Sequence, residues 1–291
     1  MSQFWQQIIN GLSLGSIYAL IALGYTMVYG VIQLINFAHG DIYMVGAFTG
    51  YFAIVRGLPF PAALALAMLA PAVLGFGIEF LAYRPLRSAP RITALITAIG
   101  VSLFLENLGI LVLGPNPRVF PQVFTAPPLS FGGVTISPPQ IWALAVTFGL
   151  MIMLTFFVHY TKTGKAMRAV AQDLEAAKLM GININRIISV TFMIGSILAG
   201  AAGVMVGILI PRIEPLMGIM PGLKAFVAAV IGGIGIIPGA MLGGMVMGMA
   251  ETMVTGFISS SWRDAIAFGL LILILLVKPS GLLGRDTREK V

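Results

Sequence analysis

The chain of 291 residues contains no cysteine, which excludes a disulfide framework, a thiol nucleophile and any Cys-ligated zinc or iron–sulfur centre. Charge is almost as scarce. Asp, Glu, Lys and Arg make up 9% of the residues, against roughly 25% in an average soluble domain, and that deficit excludes a soluble globular protein. There is no Gly-Lys-Ser/Thr phosphate loop of the Walker type. Nor is there the convergent set of His, Asp and Ser groups that a membrane-embedded enzyme needs. No catalytic residue and no metal site is expected, and if ATP drives this protein, another subunit hydrolyses it.

What is there is apolar: 58% of residues are hydrophobic, the mean hydropathy is +1.00, and 35 glycines and 17 prolines accompany them. This composition predicts an all-α, polytopic bundle of membrane helices, because Gly and Pro are tolerated where neighbouring helices satisfy freed backbone groups. A β-barrel would instead alternate apolar and polar residues. Long apolar runs fall at 8–30, 41–56, 61–83, 92–113, 140–160, 187–210, 222–237, 239–257 and 264–278, nine in all within a range of eight to ten. Spans of about 20 residues leave no room for a soluble catalytic domain, so residues 1–291 form a single transmembrane domain. The second and seventh runs are short, which predicts that one of them is broken or re-entrant. The run from Ile8 to Tyr29 is too long for a signal-peptide core and reads as an uncleaved first span.

The net charge of +7 does not mark a nucleic-acid binder, because the cations sit in loops rather than on one soluble face. Three loops hold most of them: Arg84, Arg87 and Arg91; Lys162, Lys165, Arg168, Lys178 and Arg186; and Lys278, Arg285, Arg288 and Lys290. Nine spans put all three on one side, which the positive-inside rule makes cytoplasmic. The amino terminus is then periplasmic and the carboxyl terminus cytoplasmic. Arg56, Arg118, Arg212, Lys224 and Arg263 are scattered on the other side, with Lys224 expected as an interfacial anchor. The loop over 114–140, with Pro115, Pro117, Pro121, Pro127, Pro128, Pro138 and Pro139, predicts extended structure. It is either a plain connector or a surface for an external partner.

Small residues four apart, Gly11/Gly15, Gly46/Gly50, Gly203/Gly207, Gly239/Gly243 and Gly244/Gly248, predict close helix packing. In the run Gly232 to Gly244 they predict tight contact or a helix break at Pro238. In the loop over 162–186, Met167, Val170, Leu174 and Ala177 fall on one helical face. Asp173 and Glu175 precede Lys178 in the sense that suits a helix dipole, and Gly181 is placed for a left-handed C-cap. A short amphipathic helix is expected, lying either in the lipid headgroups or in a groove of a soluble partner. The mixed charge and the small Ala176-Ala177 pair favour the groove.

Ionisable groups within spans are costly and carry a reason. Glu106 and Glu251 either face a polar conduit or bridge helices; Glu79 is placed to pair with Arg84. Asn36, His39 and Asp41 interrupt the pattern between the first two spans, as part of a proton relay or as a polar helix break.

Glu175-Ala176-Ala177 followed by Gly181 resembles the EAA loop of bacterial ABC importer permeases, although Val190-Thr191-Phe192 stand where the Ile-x-Leu-Pro ending of that motif would come. NGLSLGSIYALIALGYTMVYGVIQLINFAHGD (Asn10–Asp41), AYRPLRSAPRITALITAIG (Ala82–Gly100), KAFVAAVIGGIGIIPGAMLGG (Lys224–Gly244) and VKPSGLLGR (Val277–Arg285) are similar to the LivH-type permease of branched-chain amino acid importers. The resemblance implies the inner membrane of a bacterium and import of branched-chain amino acids driven by ATP that partner subunits bind, with no cofactor of the chain's own. It also implies a LivM-type second permease, two ATP-binding cassette subunits and a periplasmic solute-binding protein. Asp173, Glu175, Ala176, Ala177 and Gly181 would couple to the ATPase, and Asn36, His39, Glu106 and Glu251 are candidates for the pathway. Related permeases carry urea, amides or other amino acids, and an ion-coupled secondary transporter would instead use Glu106 or Glu251 as its coupling site. Gly15-Ser16-Ile17 recurs as Gly195-Ser196-Ile197, a hint of two related halves.

Overall fold

The computed structural model describes residues 2–87 and 89–284; Arg285, Arg288 and Lys290 of the basic tail lie outside the described residues. The chain runs through α1 (Ser2–Ile32), α2 (His39–Val55), α3 (Phe60–Ile78), α4 (Arg91–Leu113), α5 (Pro138–Tyr160), α6 (Lys162–Gln172), α7 (Leu174–Leu179), α8 (Ile184–Leu209), α9 (Ile219–Gly232), α10 (Ile237–Phe257) and α11 (Arg263–Val277). A π turn over Glu79–Tyr83 and a 3-10 turn over Arg84–Leu86 prolong α3. The described strands are short: β1 (Arg118–Val119) pairs with β4 (Arg212–Ile213), and β2 (Leu129–Phe131) with β3 (Val134–Ile136), both antiparallel. They make the proline-rich segment extended, as its composition requires. Pro138 and Pro139 belong instead to the first turn of α5, where a missing N–H costs nothing, behind a capping box of Ser137 and Gln140.

All nine apolar runs are helices, but only seven described helices are long and apolar enough to cross a membrane. The other two, α2 with 17 residues and α9 with 14, correct the expectation of one broken span: both are discontinuous. After α1, Gln33 turns the chain with φ +54°, and residues 33–38 lead inward. α2 therefore starts inside the bundle, where the His39 ring lies 4.7 Å from Tyr25 and edge-on to it. After α8, β4 pairs at the opposite end and the chain again turns inward. α9 starts at its N-cap Gly218, pressed against Gly40.

The two discontinuous spans belong to halves of opposite sense. α10 runs antiparallel to α1, with Gly248 on Gly15 and Gly244 on Ala19. α3 runs antiparallel to α8, with Gly75 on Ser196 and Gly200 on Ala67 and Pro71. The first helix of each half thus packs on the third helix of the other, the arrangement of an inverted repeat. Gly15-Ser16-Ile17 precedes the start of α2 by the same interval as Gly195-Ser196-Ile197 precedes the start of α9, so the short echo marks equivalent points in α1 and α8.

These two helices form the centre. Every residue of α1 from Gly15 to Val28 and of α8 from Leu198 to Gly207 is buried, as expected for helices apolar on all sides. In lipid such contacts rest on dispersion between closely approaching backbones, which small residues permit. α4 and α11 lie at the periphery and leave large apolar side chains uncovered, among them Ile96, Phe104 and Leu111 on α4 and Leu273 and Leu276 on α11.

A side chain at Gly248 would collide with the backbone of Gly15, and overpacking costs about 1–3 kcal/mol or more. Gly248→Leu is therefore expected to lower the thermal midpoint of the detergent-solubilised protein markedly. Gly100→Ala, where nothing lies within 4 Å, leaves the midpoint in place or raises it. Tryptophan-fluorescence melts check both.

Candidate functional site

The loop over 162–186 holds two helices rather than one. Asp173 (φ −153°, ψ 110°) breaks the run between α6 and α7, and its Oδ1 accepts from the backbone N–H of Ala176 at 2.9 Å. It thereby caps α7, satisfying a donor that the new helix would otherwise leave orphaned. Glu175 falls in the first turn of α7 and Lys178 in the last, each at the dipole end it favours. Gly181 adopts φ +79°; its N–H donates to Lys178 O at 3.0 Å, and that of Ile182 to Ala177 O at 3.1 Å. This is the left-handed cap expected. The break corrects the predicted face: Met167, Val170 and Ala177 are buried, but Leu174 is 40% exposed. Beyond it Leu179 and Met180 are 88% and 82% exposed, a bare apolar tip on an otherwise polar loop.

This loop is braced. Arg168 donates to Val158 O of α5 at 2.5 Å, and Asn183 caps α8 by accepting from Arg186 N–H at 3.1 Å. Two turns into α8, Ser189 donates to Glu79 Oε2 at 2.6 Å. Glu79, fully buried, also pairs with Arg84 at 3.4 Å and with Arg87, so the expected Arg84 bridge is present and is doubled. The loop, the start of α8 and the end of α3 are thus one connected polar assembly.

A second site lies where α2 and α9 begin. A cavity of about 180 Å³ is lined by Tyr25 of α1, Asp41 of α2, Ser102 and Glu106 of α4, and the first turn of α9. Ser102 donates to Asp41 Oδ2 at 2.5 Å. Ser102 and Glu106 are four apart and share one face of α4. Asn36 and His39 sit behind this cavity, not on it. Asn36 is buried and its Oδ1 accepts from Tyr83 Oη at 3.2 Å, which ties the inward-turning segment to the end of α3. The His39 ring is buried against Tyr25 and Gly24, and its Nε2 has no described partner.

The fourth pathway candidate, Glu251, is 1% exposed and surrounded by partners. Tyr18 donates to its Oε2 at 2.8 Å, Lys224 pairs with the same oxygen at 3.2 Å, and Arg263 donates to Oε1. Lys224 in turn pairs with Asp264 at 2.7 Å. This network ties α1, α9, α10 and α11 together. Lys224, itself 3% exposed, is therefore a buried ion-pair centre and not the interfacial anchor its place near Pro221-Gly222 suggested. A cavity of about 470 Å³ beside it is lined by Lys224, Arg263, Asp264, Arg212 and Glu214.

Of the four pathway candidates the cavity at α2 and α9 brings in only Glu106. Tyr25, Ser102 and the Lys224–Asp264 pair are additions that sequence spacing did not single out; Asp41 was noticed, but only as part of the helix break. The i, i+4 placement of Ser102 and Glu106 was a signal that could have been followed.

Discontinuous spans, buried ion networks and polar cavities inside an apolar bundle define a polytopic helical membrane protein. The chain belongs to the family described as branched-chain amino acid transport system / permease component, whose model matches residues 7–275. It is 46% identical to the high-affinity branched-chain amino acid transport system permease protein BraD of Pseudomonas aeruginosa, over 99% of this chain and 98% of that protein. It is 45% identical, with the same coverage, to the protein LivH of Escherichia coli K12, which carries the corresponding description. Among solved structures, a chain of PsaBC from Streptococcus pneumoniae in complex with Fab shares the fold, with a TM-score of 0.50, 12% identity and coverage of 93% of this chain and 91% of that one.

Removing one member of a buried ion pair costs about 3–5 kcal/mol because the partner is left uncompensated. Lys224→Met strips Glu251 and Asp264 of a shared cation and is expected to lower the thermal midpoint sharply. Adding Glu251→Gln, which leaves Arg263 and Asp264 balanced, is expected to recover part of that loss in the same melt.

Proposed function

We propose that the chain is the membrane-spanning permease subunit of an ATP-driven importer of branched-chain amino acids in a bacterial inner membrane. The observation that carries this reading is α7: a helix capped at both ends, packed on α6 and α8, and ending in the bared Leu179 and Met180. Such a projection suits the groove of a soluble partner. The names borne by relatives aligned over almost the full length of the chain supply the chemistry of cargo and motor. The chain has no ATPase site or cofactor of its own; ATP is bound by two ATP-binding cassette subunits. A periplasmic solute-binding protein delivers the cargo, and a LivM-type second permease completes the pathway. The basic loops face the cytoplasm, the amino terminus is periplasmic and the carboxyl terminus cytoplasmic.

In this mechanism Asp173, Glu175, Ala176, Ala177 and Gly181 act through geometry. Asp173 sets the start of α7, Gly181 its end, and Ala176 and Ala177 let it lie close to its supports. Closure of the ATPase pair displaces α7 as a rigid piece. The displacement reaches α8 directly and α3 through the hydrogen bond of Ser189 to Glu79, and the halves rock against each other. Cargo is held weakly, since only differential affinity between the two states moves the equilibrium.

An ion-coupled carrier is the second reading, favoured by the absence of a described Lys or Arg paired with Glu106. Glu251, saturated by Lys224 and Arg263, fits that role poorly. Leucine uptake into proteoliposomes that survives an uncoupler and stops when the ATPase subunits are omitted separates the two; uptake of urea or amides in its place would change the cargo but not the class.

Ala177 N–H donates to Asp173 O at 3.0 Å, and proline there removes that donor and breaks α7. Ala177→Pro is expected to abolish ATP-driven uptake. Leu179→Asp with Met180→Asp, at positions where no buried contact is lost, is expected to reduce co-purification of the ATPase at least about tenfold, as removal of apolar interface anchors does. Unchanged co-purification and uptake in both variants would sink the coupling role.

A further inference from the structure

We propose that the cavity where α2 and α9 begin is an amino-acid binding site, in which Asp41 and Glu106 hold the cargo's α-ammonium group and the Tyr25 hydroxyl donates to its carboxylate. The proposal rests on the transport reading above and adds to it the location and polarity of the site.

The argument starts from two carboxylates without a counter-ion. Asp41 is 2% exposed, and among the described residues the only side chain that donates to it is Ser102, on one oxygen. Glu106 lines the same cavity, close enough for the two to interact electrostatically. Among the described residues no Lys or Arg pairs with either. Elsewhere in this molecule buried acids are treated differently: Glu79 has two arginines, and Glu251 has a lysine and an arginine. Two carboxylates in an apolar bundle repel one another and lose hydration. A mobile cation that enters and leaves relieves both costs.

An independent observation points the same way. Tyr25 is 4% exposed and lines the cavity, with its hydroxyl 3.5 Å from the place where a Cβ on Gly222 would stand. It makes no hydrogen bond to any described residue, yet it is not sealed off among the buried unpaired atoms. It is a donor without a hydrogen bond on the cavity wall, near enough to Asp41 for the two to interact electrostatically. Beside it Gly218, Ile219 and Gly222 bring the N-terminal end of a 14-residue helix to the cavity next to Asp41, and the positive end of that helix dipole makes a carboxylate at Asp41 less costly.

Asp41, Glu106 and the Tyr25 hydroxyl converge on one cavity and together offer acceptors for an ammonium group and a donor for a carboxylate. Ile99, Leu103 and Leu223 line the remainder, which suits an aliphatic side chain. A volume of about 180 Å³ is room enough for one small amino acid. The cavity is open past α4, where Ile99 and Leu103 are 43% and 52% exposed, so entry does not require unfolding.

The test uses the full assembly of both permeases, two ATPase subunits and leucine-loaded binding protein in proteoliposomes, read as leucine accumulated per ATP hydrolysed. Glu106→Gln and Asp41→Asn are each expected to lower that ratio about tenfold, the loss of one charged hydrogen bond, while Glu106→Asp retains most of it. Tyr25→Phe, which deletes a single unpartnered hydroxyl and leaves the packing intact, is expected to lower it several-fold; it carries the test if either acid variant fails to assemble. An unchanged ratio in Glu106→Gln and Tyr25→Phe overturns the site. A strict sodium requirement for leucine uptake that disappears in Glu106→Gln would mark a metal-ion site and overturn the ammonium assignment. Failure of the unmodified assembly to accumulate leucine would overturn the transport reading as well, and is distinguished by occurring before any substitution is made.

Discussion

The contact between Gly40 and Gly218 is the constraint on which the interior depends. Each glycine stands where a Cβ on the other would strike backbone, so the N-terminal ends of α2 and α9 touch with nothing between them. Because these ends meet inside the bundle, both spans have to be completed by non-helical chain, 33–38 in one half and 210–218 in the other. Non-helical backbone at membrane depth survives only where protein or a polar cavity surrounds it. Here both are present. Asn36 and Tyr83 hold the first segment, the β1–β4 pair anchors the second, and the cavity opens where the two helices start.

Two buried ionic networks clamp this centre from opposite ends. At one, Glu79 gathers Arg84, Arg87 and Ser189 and joins α3 to α8 next to α6 and α7. At the other, Glu251 and Lys224 join α1, α9, α10 and α11. Buried pairs are weak sources of net stability but severe penalties when halved, so each network fixes a relative position more than it adds energy. Of the helices so fixed, α1 and α9 line the cavity. α4, which contributes Ser102 and Glu106, belongs to neither network and packs lightly along the edge.

Much of this was legible in the sequence, and for a definite reason. Apolar run length reports helices directly, so all nine were placed, although the first starts six residues earlier and the seventh ends five residues sooner than expected; the Gly-xxx-Gly pairs reported the close contacts; and Gly181 reported its own cap. Broken spans were harder, because a 14-residue apolar helix and a short full span look alike until one knows where the chain enters. Pairing was harder still. Lys224 stands beside Pro221-Gly222 at the start of an apolar run, which is where an interfacial lysine would stand, and only the approach of α10 and α11 reveals that Glu251 and Asp264 enclose it. In the same way His39 and Asn36 attracted attention as rare polar residues, whereas the cavity is lined by Tyr25 and Ser102, whose residue types are unremarkable in a span. Leu174 was misplaced because periodicity assumes one continuous axis, and Asp173 starts a new one.

A contact made of two bare backbones behaves as a bearing rather than as a gear. Interdigitated side chains must change rotamer or lift clear before one helix slides over another, and that is why packed cores switch between discrete arrangements. At Gly40 and Gly218 no such teeth exist, so the resistance to shear there is dispersion alone, while an ionic clamp through Lys224 holds the α9 shaft.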